Sequence, residues 1–128
     1  MFRDRAILIV EDEIYVALCL ALAIEDAEGR VIGPAGTVAE AMALLEANEI
    51  SAAVLDANLA DRDVTPVAVL LARQKVPFVV YTGTGLPSEL AAVLPDTPVI
   101  MKPTTPSVVL DRLLERISEN CADLPASR

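Results

Sequence analysis

The sequence predicts a doubly wound α/β domain with a five-stranded parallel sheet. Five short apolar runs rich in β-branched residues recur along the chain, and a segment of helical character separates each run from the next. Such runs are typical of strands buried on both faces of a parallel sheet. In addition, a polar residue directly follows four of the five runs. Alternating strands and helices predict right-handed crossovers, with helices on both faces of the sheet.

The first half of the chain contains two strand-helix units. The predicted elements are strands at about 5–10 and 30–33 and helices at about 13–28 and 37–48. Gly29 is expected to end the first helix as its C′ residue. The spacing of Thr37 and Glu40 matches a capping box, which predicts that the second helix begins there.

The second half contains three further units and a tail. The predicted elements are strands at about 52–55, 78–81 and 99–101 and helices at about 65–74, within 87–94 and at 106–120. Thr65-Pro66 and Thr105-Pro106 each place an N-cap residue before a proline at the first helical position. We expect a single domain over residues 1–128, with its core at about 4–119 and a fraying tail at 120–128.

Composition excludes several classes of function. The net charge of −9 argues against nucleic-acid binding, because such binding needs basic residues to neutralise phosphates. The chain has no histidine, which excludes Ser-His-Asp triads and histidine metal ligands. The two cysteines are too few for a disulfide framework, and Cys19 is expected to be a small core residue.

The cellular location is predicted from the start of the sequence and from the length of its apolar runs. No basic-then-apolar leader precedes the first strand, and the longest apolar run, Ile14 to Ile24, is shorter than the roughly 20 residues needed to cross a bilayer. We therefore expect a cytoplasmic protein with no membrane contact.

The polar residues that follow the strands form the candidate site. They are Glu11, Asp12, Asp56, Thr82 and Lys102. In open parallel sheets the functional crevice lies outside the carboxyl ends of the strands, so these side chains are expected to converge. Three carboxylates can hold a hard divalent cation such as Mg²⁺, while a hydroxyl and an ammonium can bind phosphoryl oxygens. Asp56 can act both as metal ligand and as nucleophile.

Each of these residues has a simpler explanation when it is taken alone. An acidic pair at a strand end is often a solvated turn, and an aspartate after a strand is often an N-cap. Thr82 could be a β-branched strand residue, and Lys102 could cap a helix. Their coincidence at one sheet edge favours a shared site.

The motifs Ile7-Leu-Ile-Val-Glu-Asp-Glu13, Leu55-Asp-Ala-Asn-Leu59, Tyr81-Thr-Gly83 and Lys102-Pro103 occur in this order along the chain. Their combination resembles the CheY-like receiver domain of two-component response regulators, over about residues 4–119. The resemblance implies the flavodoxin-like (βα)5 receiver fold. No output segment follows, so the chain is similar to a stand-alone receiver.

The resemblance implies a function and a set of site residues. Asp56 would accept a phosphoryl group from a histidine kinase or a phosphotransfer protein, and a downstream protein target would read the signal. Mg²⁺ (or Mn²⁺) would be held by Glu11, Asp12, Asp56 and the backbone carbonyl of Asn58. Thr82 and Lys102 would bind the phosphoryl oxygens. Catalysis would be limited to the domain's own phosphoryl transfer and hydrolysis, so it would not be an enzyme.

Three features depart from the usual receiver pattern. Val99 occupies the place of the common aromatic switch residue, and Thr104 the place of a frequent phenylalanine. The loop after Asn58, Leu59-Ala-Asp61, lacks a frequent proline. The segment from Thr82 to Gly85 is instead similar to an alphaproteobacterial subgroup with a Phe-Ala-Thr-Gly motif, in which Tyr81 replaces the alanine. We hypothesise that the signal is read through the loop and short helix at 83–94, which contain two glycines and are bracketed by prolines.

The first helix has no polar face between residues 14 and 24. One interpretation is a largely buried helix with alanines on its outer side. The other is a protein-contact surface. The receiver resemblance makes Ile14, Tyr15 and Leu18 candidate contacts with the kinase, and the same surface could form a homodimer.

Other functions remain as alternatives. One is a degenerate receiver that acts as a phosphate-independent interaction or dimerisation module. Another is an aspartate-nucleophile phosphatase, which is disfavoured because such enzymes place Asp-x-Asp after the first strand. Here Asp56-Ala-Asn58 follows the third strand and lacks the second acid. A dinucleotide site is poorly supported, since Gly83-Thr-Gly85 lacks the third glycine.

Overall fold

The chain folds into alternating strands and helices, five of each. In this computed structural model residues 2–122 are described, with side chains as far as residue 119. The elements are β1 (Ala6–Val10), α1 (Ile14–Asp26), β2 (Arg30–Ala35), α2 (Val38–Ala47), β3 (Ala52–Leu55), α3 (Thr65–Arg73), β4 (Phe78–Thr82), α4 (Ser88–Val93), β5 (Val99–Met101) and α5 (Pro106–Ala122).

The strands form one parallel sheet with the order β2-β1-β3-β4-β5. This confirms the predicted fold class. The order reverses between β1 and β3, because β2 lies on one side of β1 and the later strands on the other. The crevice outside the carboxyl ends of these two neighbouring strands is where such sheets place ligands.

The core has two aliphatic layers, one on each face of the sheet. Alternate residues of β1 separate into them: Leu8 and Val10 pack with α2, α3 and α4, whereas Ile7 and Ile9 pack with α1 and α5. All five residues of β1 are buried, which explains its continuous apolar run. Each fully buried aliphatic side chain contributes about 1.5–3 kcal/mol, so the layers hold the strand ends in fixed positions.

The end of α1 differs from the prediction. The helix ends at Asp26, and Glu28, with φ of 69°, takes the C′ position predicted for Gly29, in the left-handed conformation typical of that position. Glycine is still required at position 29 because a Cβ there would lie 2.7 Å from Cγ2 of Ile24. Close packing, and not backbone conformation, therefore explains this glycine.

The helix starts were predicted with mixed success. The predicted start of α2 is confirmed, since Thr37 Oγ1 accepts from the backbone N–H of Glu40 at 3.0 Å. The reciprocal bond of a capping box is shifted by one residue, because Glu40 Oε1 accepts from the backbone N–H of Gly36 at 2.9 Å. The assignment of Thr65 as N-cap of α3 was wrong, because Thr65 already belongs to the helix. Its backbone N–H donates to Asp63 Oδ1 at 2.9 Å, so an aspartate two residues earlier satisfies the helix start.

The outer side of α1 is apolar and exposed. The helix buries Ala17, Leu20 and Ile24 against the sheet. Cys19 lies off that side and is exposed, so its assignment to the core was wrong. The interpretation of α1 as a largely buried helix was also wrong.

The predicted tail lies mostly outside the described residues. No helix within residues 2–122 is long and apolar enough to cross a membrane.

Candidate functional site

The candidate site lies at the carboxyl ends of β1 and β3. Parallel pairing aligns these strands, with Val10 opposite Leu55, and the backbone N–H of Asp56 donates to the Val10 carbonyl at 2.7 Å. One carboxylate oxygen from each of Glu11, Asp12 and Asp56 lies within 4.8 Å of the others. Glu11 is 4% exposed and Asp56 is 9% exposed, while Asp12 lies on the open rim. The structure thus brings together the three carboxylates that the sequence singled out.

Lys102 reaches this cluster from the end of β5. Its Nζ lies 2.8 Å from Glu11 Oε1 and 3.5 Å from Asp56 Oδ2. The backbone N–H of Lys102 donates to the Thr82 carbonyl at 2.8 Å, which continues the pairing of β4 with β5. The ammonium therefore bridges the two most buried carboxylates of the site.

The electrostatics show that the cluster has an excess of negative charge. Burial is the main cause that raises the pKa of Glu11 to about 7, and Asp56 adds to the rise while Lys102 opposes it. Burial also acts to lower the pKa of Lys102, but the hydrogen bond to Glu11 and the charge of Asp56 raise it above its usual value overall. Three carboxylates face one ammonium.

The donor set fits a hard divalent cation. Mg²⁺ prefers carboxylate oxygens and keeps its remaining positions for water or phosphate oxygens. Two nearly buried carboxylates and a third on the rim provide such ligands at one open edge. A second positive charge beside Lys102 would favour the ionised form of Glu11.

Thr82 lies at the site but its hydroxyl is engaged within its own loop. Thr82 Oγ1 accepts from the backbone N–H of Thr84 at 3.0 Å and lies 3.2 Å from Thr84 Oγ1. Asn58 Nδ2 donates to Thr84 Oγ1 at 2.9 Å. Thr84 therefore links the loop after β3 to the loop after β4. Sequence reasoning did not single out Thr84, since an exposed threonine between two glycines carries no pattern.

Tyr81 makes a connection that sequence reasoning missed. Its ring is buried, and its hydroxyl donates to the Thr104 carbonyl at 2.7 Å and accepts from the Thr104 backbone N–H at 3.0 Å. The Nζ of Lys102 lies 5.5 Å from the ring centroid. A buried tyrosine usually has a hydrogen-bond partner for its hydroxyl. The position of Tyr81 in a core strand could therefore have predicted such a partner, though not which residue it is.

Asp61 ties the loop after β3 to the start of α2. Its two carboxylate oxygens accept from the backbone N–H groups of Val38 at 2.8 Å and Ala39 at 3.2 Å. These hydrogen bonds, the one from Val38 first, lower the pKa of Asp61. The second half of the loop that follows Asp56 is therefore anchored twice, by Asp61 and by the Asp63 cap of α3.

The predicted contact residues lie on an open surface beside the site. We call Ile14, Tyr15, Leu18 and Leu22 the α1 face; these side chains are 76%, 80%, 52% and 54% exposed, respectively. A shallow groove of about 220 Å³ borders this face and is lined in part by Cys19, Tyr81 and Thr104. The α1 face is therefore contiguous with the loop that carries Lys102.

Comparison with known proteins gives matches among solved structures alone. No protein-family model matches the sequence, and no curated protein matches it. The CheY-like response regulator receiver domain protein of Methanospirillum hungatei JF-1 superposes with a TM-score of 0.82 at 23% identity, covering 94% of this chain and 99% of that one. The response regulator receiver protein of Sinorhizobium medicae WSM419 gives 0.80 at 21% identity, covering 94% and 99%.

A closer relative in sequence is SdrG from Sphingomonas melonis Fr1. It is 38% identical over 89% of this chain and 99% of its own length, with a TM-score of 0.72. Receiver domains share the fold, and the sequence kinship with SdrG extends over nearly the whole domain. The chain thus has the fold of CheY-like response-regulator receiver domains and belongs to the same sequence family as SdrG.

Proposed function

We propose that this protein is a phosphoacceptor receiver of a two-component signalling system. Asp56 accepts a phosphoryl group from a histidine kinase or a phosphotransfer protein, and a downstream protein target reads the phosphorylated state. The observation that carries the proposal is the position of Asp56, whose carboxylate lies between two further carboxylates and the ammonium of Lys102. Family membership supports the same function.

The chemistry is a nucleophilic displacement at phosphorus. A carboxylate oxygen of Asp56 forms a bond to phosphorus while the P–N bond of a phosphohistidine donor breaks, and the imidazole leaves. The backbone around Asp56 is fixed by its hydrogen bond to Val10, so the nucleophile is held at the mouth of the crevice. Positioning of this kind supplies much of the rate in phosphoryl transfer.

The remaining site residues stabilise charge. Glu11, Asp12, Asp56 and the backbone carbonyl of Asn58 would hold Mg²⁺ (or Mn²⁺), which supplies positive charge to the phosphoryl oxygens. Lys102, now paired with Glu11 at 2.8 Å, would donate to a phosphoryl oxygen. The Thr82 hydroxyl would exchange its hydrogen bond with Thr84 for one to another phosphoryl oxygen. The catalytic work is confined to the domain's own acyl phosphate.

Mass measurement of the intact protein tests this function. After incubation with acetyl phosphate and Mg²⁺, we expect a gain of one phosphoryl group. Asp56→Asn and chelation of the metal should each abolish the gain. Asp96→Asn, at an exposed aspartate between α4 and β5, is the matched control and should retain it. An unchanged mass in a folded wild-type sample supplied with Mg²⁺ would favour the degenerate, phosphate-independent module.

The α1 face is the proposed docking surface for the phosphodonor protein. It presents large apolar side chains next to the crevice, and exposed clusters of this kind mark protein contacts. A homodimer through the same face is the competing occupant.

The Thr82–Gly85 segment further supports membership of the alphaproteobacterial subgroup with the Phe-Ala-Thr-Gly motif. A bacterial, cytoplasmic setting follows from the two-component function.

Substitution of Leu18 by glutamate tests the docking surface. Phosphotransfer from the kinase should weaken, because a charge would be buried in an apolar contact, while acetyl phosphate should remain effective. Leu22→Glu changes a side chain of similar exposure one turn further from the site and should have a smaller effect. Equal loss with both donors would indicate misfolding. Sedimentation of the wild type would reveal a dimer.

A further inference from the structure

We propose that Tyr81 is a positioning residue that holds the ammonium of Lys102 at the phosphoryl site. This inference rests on the proposed function and names a residue that raises the rate of phosphoryl transfer at that site. The hydroxyl and the ring of Tyr81 act on two different parts of the loop between β5 and α5.

Lys102 needs such support because its side chain is long and only partly enclosed. The side chain is 21% exposed, and its four-carbon stem has several rotatable bonds. The backbone hydrogen bond to Thr82 fixes where the stem begins but not where the ammonium lies. The contacts with Glu11 and Asp56 direct the ammonium in the resting state, but the incoming phosphoryl group competes for it.

The hydroxyl of Tyr81 fixes the backbone of the loop. It satisfies both backbone polar groups of Thr104, with distances of 2.7 Å and 3.0 Å. Thr104 Oγ1 in turn donates to the Met101 carbonyl at 2.6 Å, which closes the segment from the end of β5 to Thr104. Lys102 lies inside this closed segment, so movement of its backbone requires loss of these bonds.

The ring of Tyr81 supports the side chain of Lys102 itself. The ring packs in the core layer of α1 and α5 and is 7% exposed, so it cannot follow the loop outward. Its centroid lies 5.5 Å from Lys102 Nζ, within the roughly 6 Å range of cation–π attraction. One buried side chain therefore acts on the charge of Lys102 and on the backbone of the loop that carries it.

This arrangement separates Tyr81 from the metal ligands. Glu11 and Asp56 are held by the backbones of β1, β2 and β3, whereas the hydroxyl of Tyr81 bonds to Thr104. Loss of the Tyr81 hydroxyl should therefore change the rate of phosphoryl transfer and leave the affinity for Mg²⁺ unchanged. A merely structural role would change both.

The test uses Tyr81→Phe, which removes the hydroxyl and keeps the ring. With acetyl phosphate and Mg²⁺, the phosphorylation rate should fall roughly three- to tenfold, as expected for loss of two hydrogen bonds that act on one catalytic group. The Mg²⁺ dissociation constant should stay within about twofold of wild type. Thr104→Val removes the bond to Met101 but keeps both backbone bonds to Tyr81, and its rate should fall less.

A second measurement does not depend on activity. The protein has two lysines, Lys75 and Lys102, so selective labelling of lysine ε-carbons gives two NMR signals. The Tyr81 ring should shift the ε-protons of Lys102, and this shift should shrink in Tyr81→Phe as the loop loosens. The signal of Lys75, at the turn before β4, is the internal reference.

The outcomes separate the two proposals. If the wild type gains no phosphoryl group, the proposed function fails and this role of Tyr81 fails with it. If the wild type is phosphorylated but Tyr81→Phe reacts at the wild-type rate with an unchanged Lys102 spectrum, only the positioning role is overturned. Equal rate losses in Tyr81→Phe and Thr104→Val, or a parallel loss of Mg²⁺ affinity, would also overturn it.

Discussion

Two loops at the same edge of the sheet each contribute a residue to the proposed phosphoryl site, but they are held in different ways. The loop after β5 carries Lys102 and is attached to the core through buried Tyr81. The loop after β4 follows Thr82 and is held by the side chains of Thr84 and Asn58, both of which are exposed. Added Cβ atoms at Gly83 and Gly85 would meet nothing within 4 Å, so this second loop is loosely packed.

The difference indicates that the two loops are suited to different roles. An ammonium that stabilises charge acts best when it is held in place before the reaction, because no free energy is then needed to reorganise it. A hydroxyl that reports the phosphorylated state must instead exchange one partner for another. The Thr82 hydroxyl is buried, but its partner Thr84 is exposed, so exchange of this hydrogen bond costs little net stability. On phosphorylation, we expect Lys102 to keep its position and the loop after β4 to change its conformation.

The largest expected effect comes from removal of the fixed charge. Lys102→Ala should lower the phosphorylation rate by acetyl phosphate on the order of 10²-fold, as is usual when one donor to a charged transition state is lost. Thr82→Ala should cost roughly tenfold, since a neutral hydroxyl contributes less than an ammonium. Thr82→Ser keeps the hydroxyl and is the control. A larger loss of phosphorylation rate for Thr82→Ala than for Lys102→Ala would contradict the greater contribution assigned to the ammonium.

Hydrogen exchange measures the movement directly. On addition of beryllofluoride and Mg²⁺, amide exchange within residues 83–94 should change by about tenfold, equivalent to about 1.4 kcal/mol in local opening free energy. Residues 102–105 should change far less. Equal protection of segment 83–94 with and without the mimic would contradict the proposed path of the signal.

The two glycines of the loop after β4 should differ in their tolerance of substitution. Gly85 has φ of +85°, so Gly85→Ala should lower the free energy of unfolding by about 1–2 kcal/mol. Gly83 does not lie in the left-handed region, and Gly83→Ala should change the stability by less than about 0.5 kcal/mol. Urea unfolding of both variants measures the difference. Equal losses of stability in the two variants would show that Gly83 is packed more tightly than the open space around it indicates.

The smallest effect concerns the loop after β3, which Asp61 anchors to α2. Because hydrogen bonds from Val38 and Ala39 lower the pKa of Asp61, its ionised form stabilises the folded state. This contribution is fully present above the unfolded pKa of about 3.9 and is lost as the pH falls through the lower folded value. The stability difference between wild type and Asp61→Asn should therefore be constant near neutrality and vanish on acidification. A difference that grows below pH 4 would contradict this role.

The fold could be predicted from sequence because its pattern is local. The apolar runs of β1, β3 and β4 have no polar interruptions, and two-sided burial in a parallel sheet explains that. The candidate site was predictable for the same reason, since Glu11, Asp56 and Lys102 each directly follow a strand. The structure places these three together, while their roles stay predictions.

What could not be predicted depends on partners distant in the chain. The bonds of Asp61 to α2 and of Tyr81 to Thr104 span more than twenty residues, and neither has a spacing rule. The error at Gly29 arose because a close contact with Ile24 requires glycine as strictly as an unusual backbone angle does. The error at Cys19 arose because α1 is apolar on all sides, so the pattern does not reveal which side faces the sheet.

The exposure of Cys19 has a practical consequence. Its thiol lies next to Leu18, on the helix proposed to meet the kinase. A fluorophore attached there, after Cys121 is replaced by serine, would sit at the rim of the groove bordered by Tyr15 and Thr104. Its emission would change when another protein covers the helix, so a binding partner could be titrated optically and in real time, without any phosphorylation step.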